Sequence, residues 1–578
     1  MKFKDFKYEH LELETIKEEF GALLKELEAC DNAENFMQAF KKTNKYRSHI
    51  QTMLTLCNIR HSIDTSDEYY DKERNYLDET VPYIQAYETK FFKLVNDCPF
   101  KNELDIPETF FKLCEYSLKT FDEKIIAELQ EENRLVSEYG KLKASAKIEF
   151  EGETYNLASI APLMSSDDRE TRKKATMAYC DFFKENEEKF DNNYDALVKV
   201  RDKMAKKLGC KNYIELGYLR MNRFDYDEQM VENYRKQVRE VIVSLATRIH
   251  QAQAKRIGVD KLECYDLNYE FKDGNPKPVG DESVLVPLAL EMYTKMSKET
   301  GEFFKRMVDD DLFDLTTKPN KEMGGYCTDL FDYKVPFIFS NFNGEAGDVN
   351  VLCHEAGHAL QSYLSMQTIE IPDIAFPTME SCEIHSMSME FFAFPYLDLF
   401  FGKDGDKYKY HELSGALTFL PYGCLVDHFQ HEVYKHPEMT CEERKATWRR
   451  LEKEYKPDID YKDFDILERG GYFYRQGHIF QSPFYYIDYT LAQVCALQFF
   501  KRFIDNDPDY FKDYLHICSI GGTRSFVQIV KEAGLISPFE DGCLASIASI
   551  MEDELNKLGE KLGYNQVFLF PFFFIISI

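Results

Sequence analysis

Over the first ~140 residues, apolar positions recur at three- and four-residue intervals between charges, as in LELETIKEEFGALLKELEAC and ENFMQAFKKTNKYRSHIQTMLTLCNI. That spacing predicts amphipathic helices. The pattern changes at KIEFEGETYNL, where a short alternation predicts a small hairpin turning at Glu151-Gly152. A helix start is predicted near Ser165-Ser166-Asp167-Asp168-Arg169, where hydroxyl and carboxylate caps precede a charged, periodic run. Helical periodicity then holds over 165–315, broken at NPKPVGD (275–281). Residues 323–347 are aromatic, β-branched and punctuated by glycine, so they predict two short strands with turns. From Asp348 to residue 563 the helical period returns. The expected fold is mainly α with a small sheet just before Asp348. A boundary near residue 160 divides the chain into an N-terminal helical lobe (1–160), a second domain (161–563) and an apolar tail (564–578).

Composition narrows the class. A chain of 578 residues with 44% hydrophobic and 30% charged residues has a globular balance, not a disordered one. The net charge of -29 argues against a nucleic-acid partner, because phosphate binding needs a basic surface. The amino-terminal MKFKDFKYEH has no apolar core, so no signal peptide is visible. Fifteen cysteines without a Cys-x-x-Cys pair fit reduced thiols in a cytoplasm. No stretch approaches the ~20 apolar residues of a membrane span. The closing VFLFPFFFIISI (567–578) is too short to span and contains Pro571. It reads as a segment docked in a groove or as an aberrant extension, and no function is assigned to it.

The chemistry concentrates in DVNVLCHEAGHALQSYL (348–364). On a helix, His354 and His358 stand one turn apart on one face, and Glu355 lies about 60° from His358 around the axis. Two imidazoles so placed bind one Zn²⁺, and the glutamate stands beside the metal to accept a proton from water and deliver it to a leaving amine. Asp348 is the expected N-cap. Val349, Leu352, Ala356, Ala359 and Tyr363 form an apolar stripe opposite. Gly357 costs about 1 kcal/mol in a helix interior relative to alanine, which implies a close neighbour there, either an edge strand or a following helix. Cys353 and Cys382 point about 100° away from the adjacent candidate ligands and are expected to pack.

A catalytic zinc needs a third protein ligand. FPTMESCEIHSMSMEFFAFP reads as one helix between Pro377 and Pro395, with Glu380, Glu383 and Glu390 on one side and His385 off that face. Periodicity leaves the three glutamates open: Glu380 has a strong alternative role as a first-turn cap, while Glu383 sits one turn deeper.

The stretch PFIFSNFNGEAGDVNVLCHEAGHALQSY, followed by Glu383, closely resembles the catalytic core of the oligoendopeptidase F branch of the thimet oligopeptidase family of zinc metallopeptidases. GGYCTDL (324–330), GYLRMNRFDYD (217–227), CYDL (264–267) and RQGHIFQSPFYYIDYTLAQ (475–493) extend the resemblance over roughly residues 145–560. The resemblance implies His354, His358 and Glu383 as ligands of one zinc ion, Glu355 as general base and acid, and Glu380 as a partner orienting a ligand histidine. It makes 161–563 a catalytic zinc metallopeptidase domain. It further implies helical lobes around a deep substrate channel that admits only short, flexible peptides.

The oxyanion formed at a peptide carbonyl needs a hydrogen-bond donor besides the metal. RQGHIFQSPFYYIDY offers His478, Tyr485, Tyr486 and Tyr489; the resemblance implies His478, Tyr486 and Tyr489, with Tyr489 ranked first. Upstream, Gly324-Gly325 fits an exposed edge that pairs with an extended peptide. Together these features predict a cytoplasmic zinc-dependent oligoendopeptidase acting on internal bonds of short peptides. Two alternatives stand beside it. One is a related exopeptidase, akin to a dipeptidyl carboxypeptidase; the other is a non-catalytic peptide-binding protein, which the intact Glu355 argues against.

Overall fold

A computed structural model describes residues 1–564 of the chain; the apolar tail from 567 lies outside the described residues. Helices dominate, at 70% of the structure against 4% strand, as the periodicity predicts. Two compact units are present, and both are discontinuous along the chain. Unit 1 combines Met1–Lys119, Lys277–Gly405 and Gln498–Leu535; unit 2 combines Thr120–Pro276, Asp406–Leu497 and the chain from Ile536 onward.

In unit 1 the amino-terminal helices Leu13–Glu28, Ala33–Ile63 and Glu68–Asn96 pack on one another. Their apolar faces meet at Phe40, whose ring stands 5.7 Å from both Phe91 and Phe110. Arg47 is buried beneath them and is neutralised twice, by Glu88 at 2.6 Å and Asp373 at 2.8 Å. An unpaired guanidinium at that depth would cost several kcal/mol, so these two carboxylates tie the 370s loop to the helical layer.

Unit 1 also contains a three-stranded sheet: β3 (Phe313–Thr316), β4 (Tyr326–Leu330) and β5 (Val335–Phe342), in the order β3-β5-β4. β4 and β5 are the predicted pair, antiparallel with Tyr326 opposite Phe339 and Leu330 opposite Val335. β3 runs parallel to β5. It falls at the end of the run expected to be helical, because Phe313-Asp-Leu-Thr316 is too short to show a strand period. β5 is central and buried along almost its whole length, while β4 forms an edge.

In unit 2 the predicted hairpin forms as β1 (Ile148–Phe150) against β2 (Glu153–Tyr155), with Glu151 and Gly152 both at positive φ in the turn. The predicted helix start is observed at Arg169, capped by Asp168, whose carboxylate accepts from the Thr171 amide at 2.8 Å. Helices Ile126–Ala144 and Glu187–Leu208 pack together and bury the ion pair of Arg201 with Glu132, 2.6 Å apart. Among the described residues no helix is long and apolar enough to cross a membrane.

Candidate metal centre

The HEAGH motif lies in a helix that runs from Gly347 to Ser365. Asp348 does not cap it: the helix begins one residue earlier, and the Asp348 carboxylate instead accepts from the backbone amides of Asn343 at 3.1 Å and Gly344 at 2.7 Å. This closes the loop between β5 and the helix and fixes the angle at which the helix enters. Four of the five stripe residues, Val349, Leu352, Ala356 and Ala359, are all but inaccessible, Tyr363 is half-buried, and the helix packs on β5 and β4. The opposite face is also largely enclosed, with Glu355 and His358 buried as well.

The second wall is the helix Met379–Phe392, which crosses the first at Gly357. A Cβ on Gly357 would stand 2.5 Å from the carbonyl oxygen of His385 and 2.7 Å from Cα of Ser386. The neighbour implied by the mid-helix glycine is therefore the helix that carries the three glutamates. Backbone cannot yield there as a flexible side chain would. Gly357→Ala is expected to lower stability by about 1–3 kcal/mol, the usual cost of overpacking, read as a drop in unfolding midpoint. An unchanged midpoint would remove close approach as the reason for glycine.

Close packing of the two helices brings three side chains together. His354 Nε2 lies 3.3 Å and His358 Nε2 3.5 Å from Oε2 of Glu383. Among the described residues, these three form a group whose ligand atoms all lie within 4.8 Å of one another. A tetrahedral cation with bonds of about 2.0–2.2 Å requires ligand atoms about 3.3–3.6 Å apart, and the two measured separations fall in that range. The group can hold a metal ion.

The ring of His354 is oriented from behind. Its Nδ1 stands 2.6 Å from Oε1 of Glu390, which favours the tautomer that leaves Nε2 with its lone pair toward Glu383. Glu390, rather than Glu380, is thus the carboxylate on a candidate ligand. Glu380 is buried in the first turn of the same helix. Ser386 donates to Glu383 Oε2 at 2.9 Å and steadies that carboxylate. His385 points away: it is fully buried, its carbonyl accepts from Tyr514 at 2.9 Å, and burial together with His358 pushes its pKa down to about 3. Cys353 and Cys382 are buried and lie outside the group, as expected.

The electrostatics single out Glu355. Burial alone would push Glu383 up, but His358 and His354 outweigh it and hold its carboxyl well below the ordinary range. For Glu355 burial wins, and its carboxyl is raised despite the two histidines. Its Oε2 is buried with no hydrogen-bond partner. Two glutamates on the two packed helices are thereby separated in character. One is anionic beside the imidazoles; the other is a desolvated carboxyl whose pKa lies closer to neutrality, the condition for a proton carrier.

The remaining sequence candidates belong to unit 2 and cluster there. The His478 ring lies 4.8 Å from Tyr486 and 5.8 Å from Tyr489, centroid to centroid, and all three residues are partly accessible. Gln476 holds His478 Nδ1 at 2.8 Å, and Tyr422 donates to Oε1 of Gln476 at the same distance. Burial raises the Tyr486 phenol, so it stays a neutral donor. Sequence reasoning passed over Arg223, which pins this segment: it donates to the Phe484 carbonyl at 2.8 Å and pairs with buried Asp488 at 2.5 Å. Phe484 has φ +67°, a left-handed conformation that a non-glycine residue holds only when its surroundings enforce it.

The comparisons with known proteins agree with this geometry. The model described as "Peptidase M3 N-terminal domain" matches residues 3–121, and "Peptidase family M3" matches residues 162–549, spanning both helices of the His354–His358–Glu383 group. The chain belongs to peptidase family M3. As an M3 member it is a metallopeptidase. Within the family it is similar to the oligoendopeptidase F homolog of Borreliella burgdorferi, 24% identical over 91% of this chain and 88% of that protein. Oligopeptidase PepF of Bacillus subtilis is 22% identical over 92% and 82% of the two chains. Among solved structures, that of PZ peptidase A with an inhibitor superposes with a TM-score of 0.90 at 48% identity, covering 96% of this chain and 99% of the other.

Proposed function

We propose that this M3 peptidase is a zinc-dependent oligoendopeptidase that hydrolyses internal bonds of short peptides. The observation that carries the reading is the pairing of the His354–His358–Glu383 group, built from two crossing helices, with the unpartnered, buried carboxyl of Glu355 on the helix of the two histidines. Nitrogen and carboxylate donors at this spacing suit zinc. Bound there, zinc supplies Lewis acidity toward the peptide carbonyl and makes water a stronger acid.

The chain's own residues supply the remainder. Glu355 accepts the proton of the attacking water and passes it to the leaving amine nitrogen, a shuttle that its raised pKa favours. Glu390 keeps His354 in its ligand tautomer and Ser386 steadies Glu383. His478, Tyr486 and Tyr489 are proposed as hydrogen-bond donors to the oxyanion. What supports them is their chemistry, imidazole and phenol donors gathered on one short segment. β4, an edge strand with Gly324 and Gly325 at its start, offers free backbone groups to an extended peptide, which would bind main chain whatever its side chains.

The test is incubation of the purified protein with a peptide library spanning several lengths, blocked and unblocked at both ends, with and without a chelator, read by mass spectrometry. Internal cleavage of doubly blocked short peptides, abolished by the chelator and restored by zinc, is the expected result. Products trimmed only from free ends would replace the reading with an exopeptidase, and no cleavage of any peptide would overturn it.

A further inference from the structure

Unit 2 contains a cavity of about 100 Å³, none of whose lining residues belongs to the metal-binding group. Its lining includes apolar Met164 and Phe183 together with Lys456, Arg475, Tyr472 and Thr176; Thr176 and Phe183 share one face of the helix Arg169–Glu185. Its charge is anomalous for a chain of net charge -29. Neither Lys456 nor Arg475 has a carboxylate within ion-pair distance among the described residues, although most basic side chains here do. Both cations are instead directed at the same ring: the Lys456 ammonium is 5.5 Å and the Arg475 guanidinium 4.8 Å from the Tyr472 centroid, and Arg475 also donates to the Tyr472 hydroxyl at 2.9 Å. Cation–π contact with the ring offsets part of the cost of holding the two cations there, and Glu452 acts on Lys456 from farther off.

A second observation is independent of the charges. Thr176 lines the same cavity, is 7% exposed, and its Oγ1 has no hydrogen-bond partner. A buried hydroxyl without a partner costs about 1–3 kcal/mol, which a ligand oxygen or a water would relieve. The volume holds several water-sized groups, enough for a carboxylate on a small apolar body and too little for a peptide of several residues.

We propose that this cavity binds a small organic carboxylate: its oxygens lie between Lys456 and Arg475 and accept from Thr176, and its apolar part rests on Met164 and Phe183. The carboxylate is that of a free small acid, such as a single amino acid, or that of the last residue of a peptide. The proposal goes beyond the hydrolytic reading and does not depend on it, since occupancy is measured as binding.

The experiment is isothermal titration and thermal-shift measurement on the full chain and on Glu355→Gln, which bars turnover. The probes are N-acetyl-leucine, N-acetyl-leucine amide, a hexapeptide with a free carboxyl terminus and its amidated form. A saturable rise in melting temperature with N-acetyl-leucine and none with its amide is expected; because the substrate site takes blocked peptides too, hexapeptide binding at the cavity is read as the part of the shift that Thr176→Val removes and amidation abolishes. Arg475→Gln and Lys456→Gln should each weaken the acid by about tenfold or more, as loss of a charge-assisted contact does. Thr176→Val removes a hydroxyl with no protein partner, so it should leave the ligand-free melting temperature unchanged or higher while weakening the acid several-fold. That variant keeps the test valid even where loss of a cation disturbs folding. Binding of N-acetyl-leucine without the hexapeptide assigns the site to free acids; binding of both assigns it to chain termini as well. Equal shifts from N-acetyl-leucine and its amide, no shift from either, or wild-type affinity for N-acetyl-leucine in Thr176→Val and both charge variants would overturn the proposal.

Discussion

Glu355→Gln is expected to abolish peptide hydrolysis while leaving metal content and stability intact. The substitution preserves shape and removes only the ability to carry a proton. General base and acid catalysis is worth about 10²–10⁴-fold, and in the proposed mechanism one residue serves both halves of the reaction, so the loss in kcat should lie at the upper end. Stability should hold because, among the described residues, no group hydrogen-bonds to Oε2 of Glu355. Burial already penalises its anionic form, and a neutral amide is no costlier in that setting. The measurements are kcat on a doubly blocked peptide, metal content by mass spectrometry, and the unfolding midpoint. Turnover within tenfold of the parent, with the metal present, would remove Glu355 from the proton path.

Glu383→Ala should act on the metal itself. Its Oε2 is the point on which both imidazoles converge, at 3.3 and 3.5 Å, and to which Ser386 donates at 2.9 Å. Removing it takes away the only carboxylate of the His-His-Glu group and leaves His354 and His358 as a two-nitrogen site. Such a site holds zinc poorly at the free-metal levels set by a buffered chelator. The expected result is near-complete loss of zinc with parallel loss of activity. Glu390→Gln is the graded comparison: it keeps all three donors but weakens the grip on the His354 ring, and loss of such an outer contact costs about 10–100-fold in affinity. A Glu383→Ala protein that retains one zinc per chain in buffered metal would transfer the ligand role to another carboxylate.

The two variants also mark what periodicity can and cannot decide. A helical wheel brings His354, His358 and Glu355 within one arc, because that relation is local. On the next helix it places Glu383 and Glu390 about 20° apart and Glu380 some 60–80° away. Angle alone therefore cannot say which of Glu383 and Glu390 faces the imidazole nitrogens and which stands behind one ring. That depends on where the two helices cross. The crossing is fixed by Gly357 against the His385–Ser386 backbone, a tertiary contact whose existence the glycine signalled and whose partner it did not. Family resemblance, not spacing, selected Glu383, and both routes passed over Glu390 as the carboxylate on His354. β3 stayed hidden for a related reason: four residues paired in parallel with a distant strand carry no readable period. Arg223 was invisible because its partners, Phe484 and Asp488, lie more than 250 residues away in the chain.

The interleaving of the two units has a consequence for how the chain is made. After Lys119 emerges from the ribosome, residues 120–276 of unit 2 must follow before unit 1 resumes, an interval of roughly 8–30 s at ordinary elongation rates. During that time the first three helices and the helix Glu108–Thr120 can form their local contacts around Phe40, Phe91 and Phe110. Arg47 has Glu88 but must wait for Asp373, and the β-sheet and both helices of the metal-binding group do not yet exist. Unit 2 waits in the same way for residues beyond 406. Neither unit can be completed in order of synthesis, so the nascent chain carries two half-built cores at once. Metal capture is necessarily a late event, coming only after Glu383 has been translated and its helix has closed over Gly357.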